Sequence, residues 1–440
     1  MKNHSRSISA ILCLLAASIA CRLPAQNTVA SQTSAPPLST ATALIAPTDT
    51  PAPTPDNPSL LPNSAPSQAL TGLSIPHLAA GTSIDITNIH MISASDGWAI
   101  GGQAAASDHI FRTQDGGATW RDVTPPQPML DTDGALNALG FFMDAATAWV
   151  VYGGSYGTAL PTDEAVFWRT SDAGATWQYS TAPQPSPSEA FSPALFAFTD
   201  AQHGWLMVVI GGGMMHQYVA LYSTNDSGVN WNMILDPSSE APIQSFPKTA
   251  MAFADAQIGW LTRDAQGVSD TPHLFRTQDS GINWRQINLP APSNSSNLFN
   301  EYSCGTYALS LFAPDSVIVA LKCLSKADYQ TQSNFQYAST DDGQTWTSLP
   351  LPSDYSMNDG DSLYYFDANN GFAFGRNIYR TSDGGKTWAS VNRVNWDGQF
   401  NFVNLMTGWA VARADADIAL VVTNDGGARW SIVKPTLVAP

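Results

Sequence analysis

The sequence predicts an all-β fold: a seven-bladed β-propeller with four-stranded antiparallel blades, preceded by a disordered N-terminal tether. Three observations lead there. A motif of the form Ser/Thr-x-Asp-x-Gly-x-x-Trp occurs seven times at a spacing of roughly 50 residues, and such a period marks a stack or ring of like units. Upstream of each copy lies an apolar run, a polar turn, then Gly-Trp or a substitute and a second apolar run, as in residues 89–100 and 196–207. That pattern reads as two short strands joined by a tight turn. A third strand such as 109–112 precedes the motif and a fourth opens at its Trp, which gives four strands per repeat.

Residues 1–21 read as an export signal. Lys2 and Arg6 flank an apolar run from Ile8 to Ala20, too short to span a bilayer comfortably but suited to a secretory leader. The run ends Ser18-Ile-Ala-Cys21, which resembles the lipobox at which bacterial lipoproteins are cleaved and acylated. The resemblance implies lipidation of Cys21, although Ser18 stands where that family usually has Leu; ordinary cleavage near Ala20 or Ala25 is the alternative. Membrane contact is expected through that anchor alone, and multiple acylation holds firmly where one chain would not. The chain is expected at the cell surface as a lipoprotein, or secreted.

Residues 22–75 read as a disordered linker. From Pro24 to about Ser67 the chain is Pro, Thr, Ser and Ala with almost no charge or aromatic residue, so it cannot bury enough apolar surface to offset chain entropy. Such a stretch is an extended spacer. The propeller is then assigned to residues 76–440, with segment 82–87 left open as a further strand beside the last blade.

Each motif has a structural explanation. The Asp residues, Asp115, Asp172, Asp226, Asp279, Asp341, Asp383 and Asp425, stand at a hairpin turn where a carboxylate accepts backbone N–H groups, as the leading Ser or Thr hydroxyl also does. The Gly two positions later permits positive φ. The Trp residues, Trp120, Trp177, Trp231, Trp284, Trp346, Trp388 and Trp430, bury a large ring that fixes the fourth strand. At these residues the chain resembles the Asp-box, or bacterial neuraminidase repeat, proteins: sialidases, sortilin-type receptors, certain endoglucanases and photosystem II assembly and stability factors. The Gly-Trp of the second strand looks most like the last group. The resemblance covers roughly residues 84–440 and implies the propeller, but its members have unrelated activities.

In an up-and-down blade the motif turns share one face with the first-to-second turns, and variable loops emerge on the other. Loops of uneven length on a rigid ring are where binding resides. The ligand-binding candidates are therefore Tyr156, Asp163, Glu164, Met214, His216, Asp264, Tyr329 and Tyr355. Arg112, Arg169, Arg276 and Arg380 invite comparison with a sialidase arginine triad, but all four precede a motif at one offset, which speaks for a repeat-level structural role. Arg263, Arg376, Arg393 and Arg413 lie outside that register. The inner strands offer none of the Glu, Tyr-Glu or Arg that a sialidase needs, and no catalytic residue is assigned.

The net charge of −17 argues against nucleic-acid phosphate as a partner. Cys304 and Cys323 flank one inner hairpin, and an oxidising location makes a local disulfide between them plausible. No metal or cofactor is expected. The leading reading is a monomeric, non-catalytic scaffold that binds a protein or glycan; a glycoside hydrolase, either sialidase or endoglucanase-like, is the alternative, and a photosystem II assembly role the second.

Overall fold

The computed structural model describes residues 74–128, 136–154, 164–185, 190–213, 216–265, 271–312, 315–357 and 362–439. The export signal, Cys21 and the linker up to residue 73 lie outside the described residues. Seven antiparallel sheets follow one another in chain order, spanning residues 85–122, 136–183, 192–235, 248–288, 302–350, 362–393 and 397–433. First strands of neighbouring blades touch one another, so they are the inner ones.

Six blades have four strands; the first has five. The C-terminal strand Thr436–Val438 adds in parallel to the outer edge of blade 1, Leu437 lying opposite Trp120. Residues 85–87 belong to the first strand of blade 1, Asp85–Met91, so the open question at 82–87 resolves against a strand beside the last blade. The seam between blades 7 and 1 is closed at its inner end too. The side-chain amide of Gln399 accepts the Ile89 N–H at 2.9 Å and donates to its carbonyl at 3.0 Å, while Asn401 accepts the Met91 N–H at 2.8 Å.

The Gly-Trp pattern has a packing cause. Phe198 on the first strand of blade 3 lies directly opposite Gly204, where a Cβ would sit 2.3 Å from its ring, so only Gly leaves the ring room to lie across the strand. Trp149 from blade 2 then stacks on the other side of Phe198 with centroids 3.9 Å apart. Gly259, Phe253 and Trp205 repeat the sandwich one blade later, at 3.6 Å. Four tryptophans at this position also donate the indole N–H to the next blade: Trp98 to Asp144, Trp149 to Ser227, Trp205 to Ser280 and Trp409 to Gly116, all to carbonyls at 2.8–2.9 Å. The indoles run from blade to blade and across the closing seam.

The seven motif turns are alike. In every one the leading hydroxyl accepts the N–H of the fifth-position Gly at 2.8–3.1 Å. The Asp accepts the seventh-position N–H at 2.8–2.9 Å. The fourth-position N–H donates to the first-to-second turn of its own blade, for example Gly116 to Ser95 and Ser227 to Gln202, which puts both turns on one face. Sequence reading located positive φ at the Gly alone; the fourth residue adopts it as well, with Ala173, Ser227, Ser280 and Asp342 between 56° and 66°. The motif Trp lies within the fourth strand only in blade 1, and in the other six blades stands just before it.

The four in-register arginines are structural. Arg112 reaches the Ala145 carbonyl at 3.0 Å, Arg169 the Gly228 carbonyl at 3.0 Å, and Arg276 pairs with Asp342, each in the following blade. Arg380 lies over the Phe372 ring of its own blade. Two inter-blade connections expected from the sequence to be loops contain a 3₁₀ turn at Pro242–Gln244 and a short helix at Leu298–Glu301.

Candidate functional site

The first strand of blade 5, Tyr302–Phe312, runs 11 residues against four to seven for the first strands of the other blades, and its partner Ser316–Ser325 runs 10, as long as the second strand of blade 3. The extra length projects at the loop face. Cys304 and Cys323 lie opposite each other in this projection and are disulfide-bonded, as the sequence led us to expect. Strand alternation puts the two sulfurs on one side and Ser303, Tyr307, Lys322 and Leu324 on the other.

Against that second side packs the start of the connection between the second and third strands of blade 4. Gly305 sits so close to it that a Cβ would fall 2.7 Å from the Ala265 amide nitrogen, so Gly here is what lets the two blades meet. The Tyr307 hydroxyl donates to Asp264 Oδ1, which also accepts the Ala265 N–H at 2.6 Å. Between the walls is an open cavity of about 110 Å³, lined by Asp264, Ala265, Ser303, Tyr307, Lys322, Leu324 and Tyr329. The Lys322 ammonium lies 5.7 Å from the Tyr307 ring centroid. Ser303 is 2% exposed and its hydroxyl has no hydrogen-bond partner among the described residues. Tyr329, at the rim, is 53% exposed and holds φ of 52°.

Beside the cavity lies a basic cluster in which Arg263 is buried and Lys248 and His273 are half-buried. Lys248 donates to the carbonyls of Phe246, Ser245 and Gln217 at 2.7, 3.2 and 3.3 Å, while burial, reinforced by Arg263, pushes its pKa down to about 7. Arg263 stacks on Phe246 at 3.8 Å; burial lowers its pKa to about 10 against the opposing pull of Asp264. Burial and Arg263 together lower His273 to about 4.

Of the sequence candidates, the structure brings Asp264 and Tyr329 together at this cavity. Glu164 is exposed at the start of strand Glu164–Thr170, and His216 at the start of His216–Thr224 with its ring 6.0 Å from that of Tyr218; neither lines it. Tyr355 is corrected: at 3% exposure it packs in the blade 6 core and donates to the Phe374 carbonyl at 3.2 Å, because the connection before that blade folds inward. Tyr156, Asp163 and Met214 lie outside the described residues. Three of the four out-of-register arginines are held apart, Arg263 on Phe246, Arg376 paired with Asp397 at 2.7 Å, and Arg413 on the Thr87 carbonyl at 2.6 Å. Sequence reading missed Ser303, Tyr307 and Lys322. Their signal was alternation: they stand one or three places from the cysteines, on the face opposite to them.

No family model matches the chain, and no curated protein matches it. Solved structures do. YCF48 bound to D1 peptide aligns at 18% identity over 82% of this chain and 99% of that one, with a TM-score of 0.46. YCF48 from Cyanidioschyzon merolae gives 16%, 80%, 98% and 0.46 for the same quantities. An ancestral GH74 enzyme aligns at 10% identity over 84% of this chain, which spans 48% of that one, with a TM-score of 0.47. Such likeness is one of fold, already given by the seven sheets.

Proposed function

We propose that the chain is an exported, non-catalytic binding scaffold, held at the cell surface by lipid on Cys21 and the linker of residues 22–75, whose loop face takes a protein or glycan partner. One observation carries the binding role: a cavity between two blades in which a buried hydroxyl, that of Ser303, has no partner among the described residues. Buried polar groups are nearly always hydrogen-bonded, and an orphan at the wall of an open cavity is where a ligand completes the set. Asp264 is the sole carboxylate lining the cavity among the described residues, and Tyr307 already binds it. Glycoside hydrolysis calls for two carboxyl groups facing each other across the bond to be cut.

The test is a capture experiment with the full chain on intact cells of its source, run in parallel with Tyr329→Ala. A surface protein or glycan retained by the parent and lost by the variant is expected. Hydrolysis of sialosides or β-glucans by the purified chain, abolished in Asp264→Asn, overturns the non-catalytic reading. Metabolic labelling with a fatty acid, lost in Cys21→Ala, checks the anchor.

A further inference from the structure

Resting on the scaffold reading above, we infer that the cavity between blades 4 and 5 is a subsite for a single neutral pyranose ring, stacked on Tyr329 and hydrogen-bonded through its hydroxyls to Asp264, Lys322 and Ser303.

Size comes first. A cavity of about 150 Å³ accepts benzene, so the 110 Å³ here, open on one side, takes one six-membered ring partly inserted. A nucleotide or a helix is far too large. Charge is next. The described lining holds one ammonium, Lys322, and one carboxylate, Asp264, which sum to zero. A ligand of either net charge meets one attractive and one repulsive group, whereas a polyol uses both, because each hydroxyl donates to the carboxylate or accepts from the ammonium.

The polar groups are also held ready. Tyr307 pins both: its hydroxyl donates to Asp264 Oδ1, and its ring lies under the Lys322 ammonium. Asp264 Oδ2 accepts no hydrogen bond among the described residues, Lys322 makes no ion pair among them, and Ser303 adds an unused hydroxyl. Three polar groups with spare capacity beside an exposed aromatic ring suit a ring with hydroxyls at its edge and C–H groups on its face. Little reorganisation is needed, since the disulfide between Cys304 and Cys323 closes the hairpin that bears Ser303 and Lys322.

The test is saturation-transfer NMR on the full chain with methyl glycosides of glucose, galactose and mannose, followed by titration of any that respond. A dissociation constant on the order of 1 mM is expected for one ring. Tyr329→Ala should weaken binding about tenfold, and Ser303→Ala about fivefold, while Ser303→Ala leaves the melting temperature unchanged or raised because its hydroxyl satisfies nothing in the fold. Silence from all the glycosides overturns the sugar assignment, as does binding that both variants leave intact. If the glycosides are silent but the capture experiment still yields a protein lost in Tyr329→Ala, the scaffold reading stands and the ligand class is a peptide. If both experiments are blank, both readings fall.

Discussion

The indole N–H of Trp149 in blade 2 donates to the Ser227 carbonyl in blade 3 at 2.9 Å, and its ring stacks on Phe198 of that same blade. One side chain thereby supplies both a polar and an apolar contact across a blade interface. Trp149→Phe keeps most of the apolar contact and removes the donor. The Ser227 carbonyl is then left without that donor, and the expected loss is about 1–3 kcal/mol in denaturant unfolding. The same change at Trp409 acts on the closing seam. There the unfolding transition should also broaden, because blades 7 and 1 are joined only after the chain has gone round; an equally sharp transition would show that the seam is not the weak joint.

Two motif turns carry a residue that substitution should improve. In blade 7 the seventh position is Arg429, whose guanidinium is 3.9 Å from Asp425 Oδ2, whereas Thr119 donates its hydroxyl to Asp115 Oδ2 at 2.6 Å. Arg429→Thr should therefore stabilise by about 0.5–1 kcal/mol, the ordinary worth of a hydrogen bond. In blade 2 the fourth position is Ala173 at φ of 61°, where blades 1, 6 and 7 have Gly. A left-handed L-residue costs about 1–2 kcal/mol and glycine's extra chain entropy returns about half of that, so Ala173→Gly should raise stability slightly. Thermal melts of the two single variants and their combination check both, and additivity is expected since the turns lie in different blades.

Blade number and the roles of the motif Asp and Gly were legible because the turn is set within one repeat, by hydrogen bonds four residues or fewer apart. What crosses between blades was less so. Trp149 was visible as the Trp of an Ala-Trp pair standing where other repeats have Gly-Trp, yet its bond to Ser227 joins residues 78 apart in sequence. Ring closure by Thr436–Val438 carries no motif, since three short residues pairing with an edge read like any tail. The cavity was half legible: Asp264 and Tyr329 stand on loops, where function is sought, but Ser303 and Lys322 lie on strands and look like ordinary alternating positions. Tyr355 misled because an inter-blade connection was taken to be exposed throughout.

The pH dependence of stability follows from three sets of groups. The hydroxyl and then the amide of Thr345 hold Asp341 down at about 2, and those of Thr387 do the same for Asp383. His273 is lowered to about 4. All three have folded pKa values below the unfolded ones, so their stabilisation is complete above about 6.5 and is lost as the pH falls through 4 and then 2. Lys248, lowered to about 7, obeys the same sign. Between pH 7 and 10.5 the unfolded chain binds a proton there that the native chain does not, and stability rises by at most about 1.4 kcal/mol per unit. Burial raises Tyr222, Tyr337 and Tyr365, whose contribution is complete below 10 and lost above it. For these groups together, stability therefore rises up to about pH 10. In Lys248→Met the rise between 7 and 10 should flatten, and a parent curve already flat there would contradict the lowered pKa of this lysine.

The last prediction concerns how the ring stays shut. Leu437 is 1% exposed and belongs to the apolar cluster of Trp120, Phe111, Trp409 and Leu420, drawn from blades 1 and 7. Its strand follows the last strand of blade 7, Ser431–Val433, yet pairs with blade 1, so all seven blades must be placed before this contact forms. Leu437→Ala should cost about 2–4 kcal/mol, as for other buried Leu truncations. A chain ending at Lys434 loses the backbone ladder to Thr119–Arg121 as well. Hydrogen exchange separates closure from ordinary core packing: if the strand is a clasp, the truncated chain exchanges fastest in the outer strand Thr119–Asp122 and at Ile89 and Met91, whose amides face blade 7. Uniformly faster exchange in all seven blades would instead mean that Leu437 matters only as buried surface.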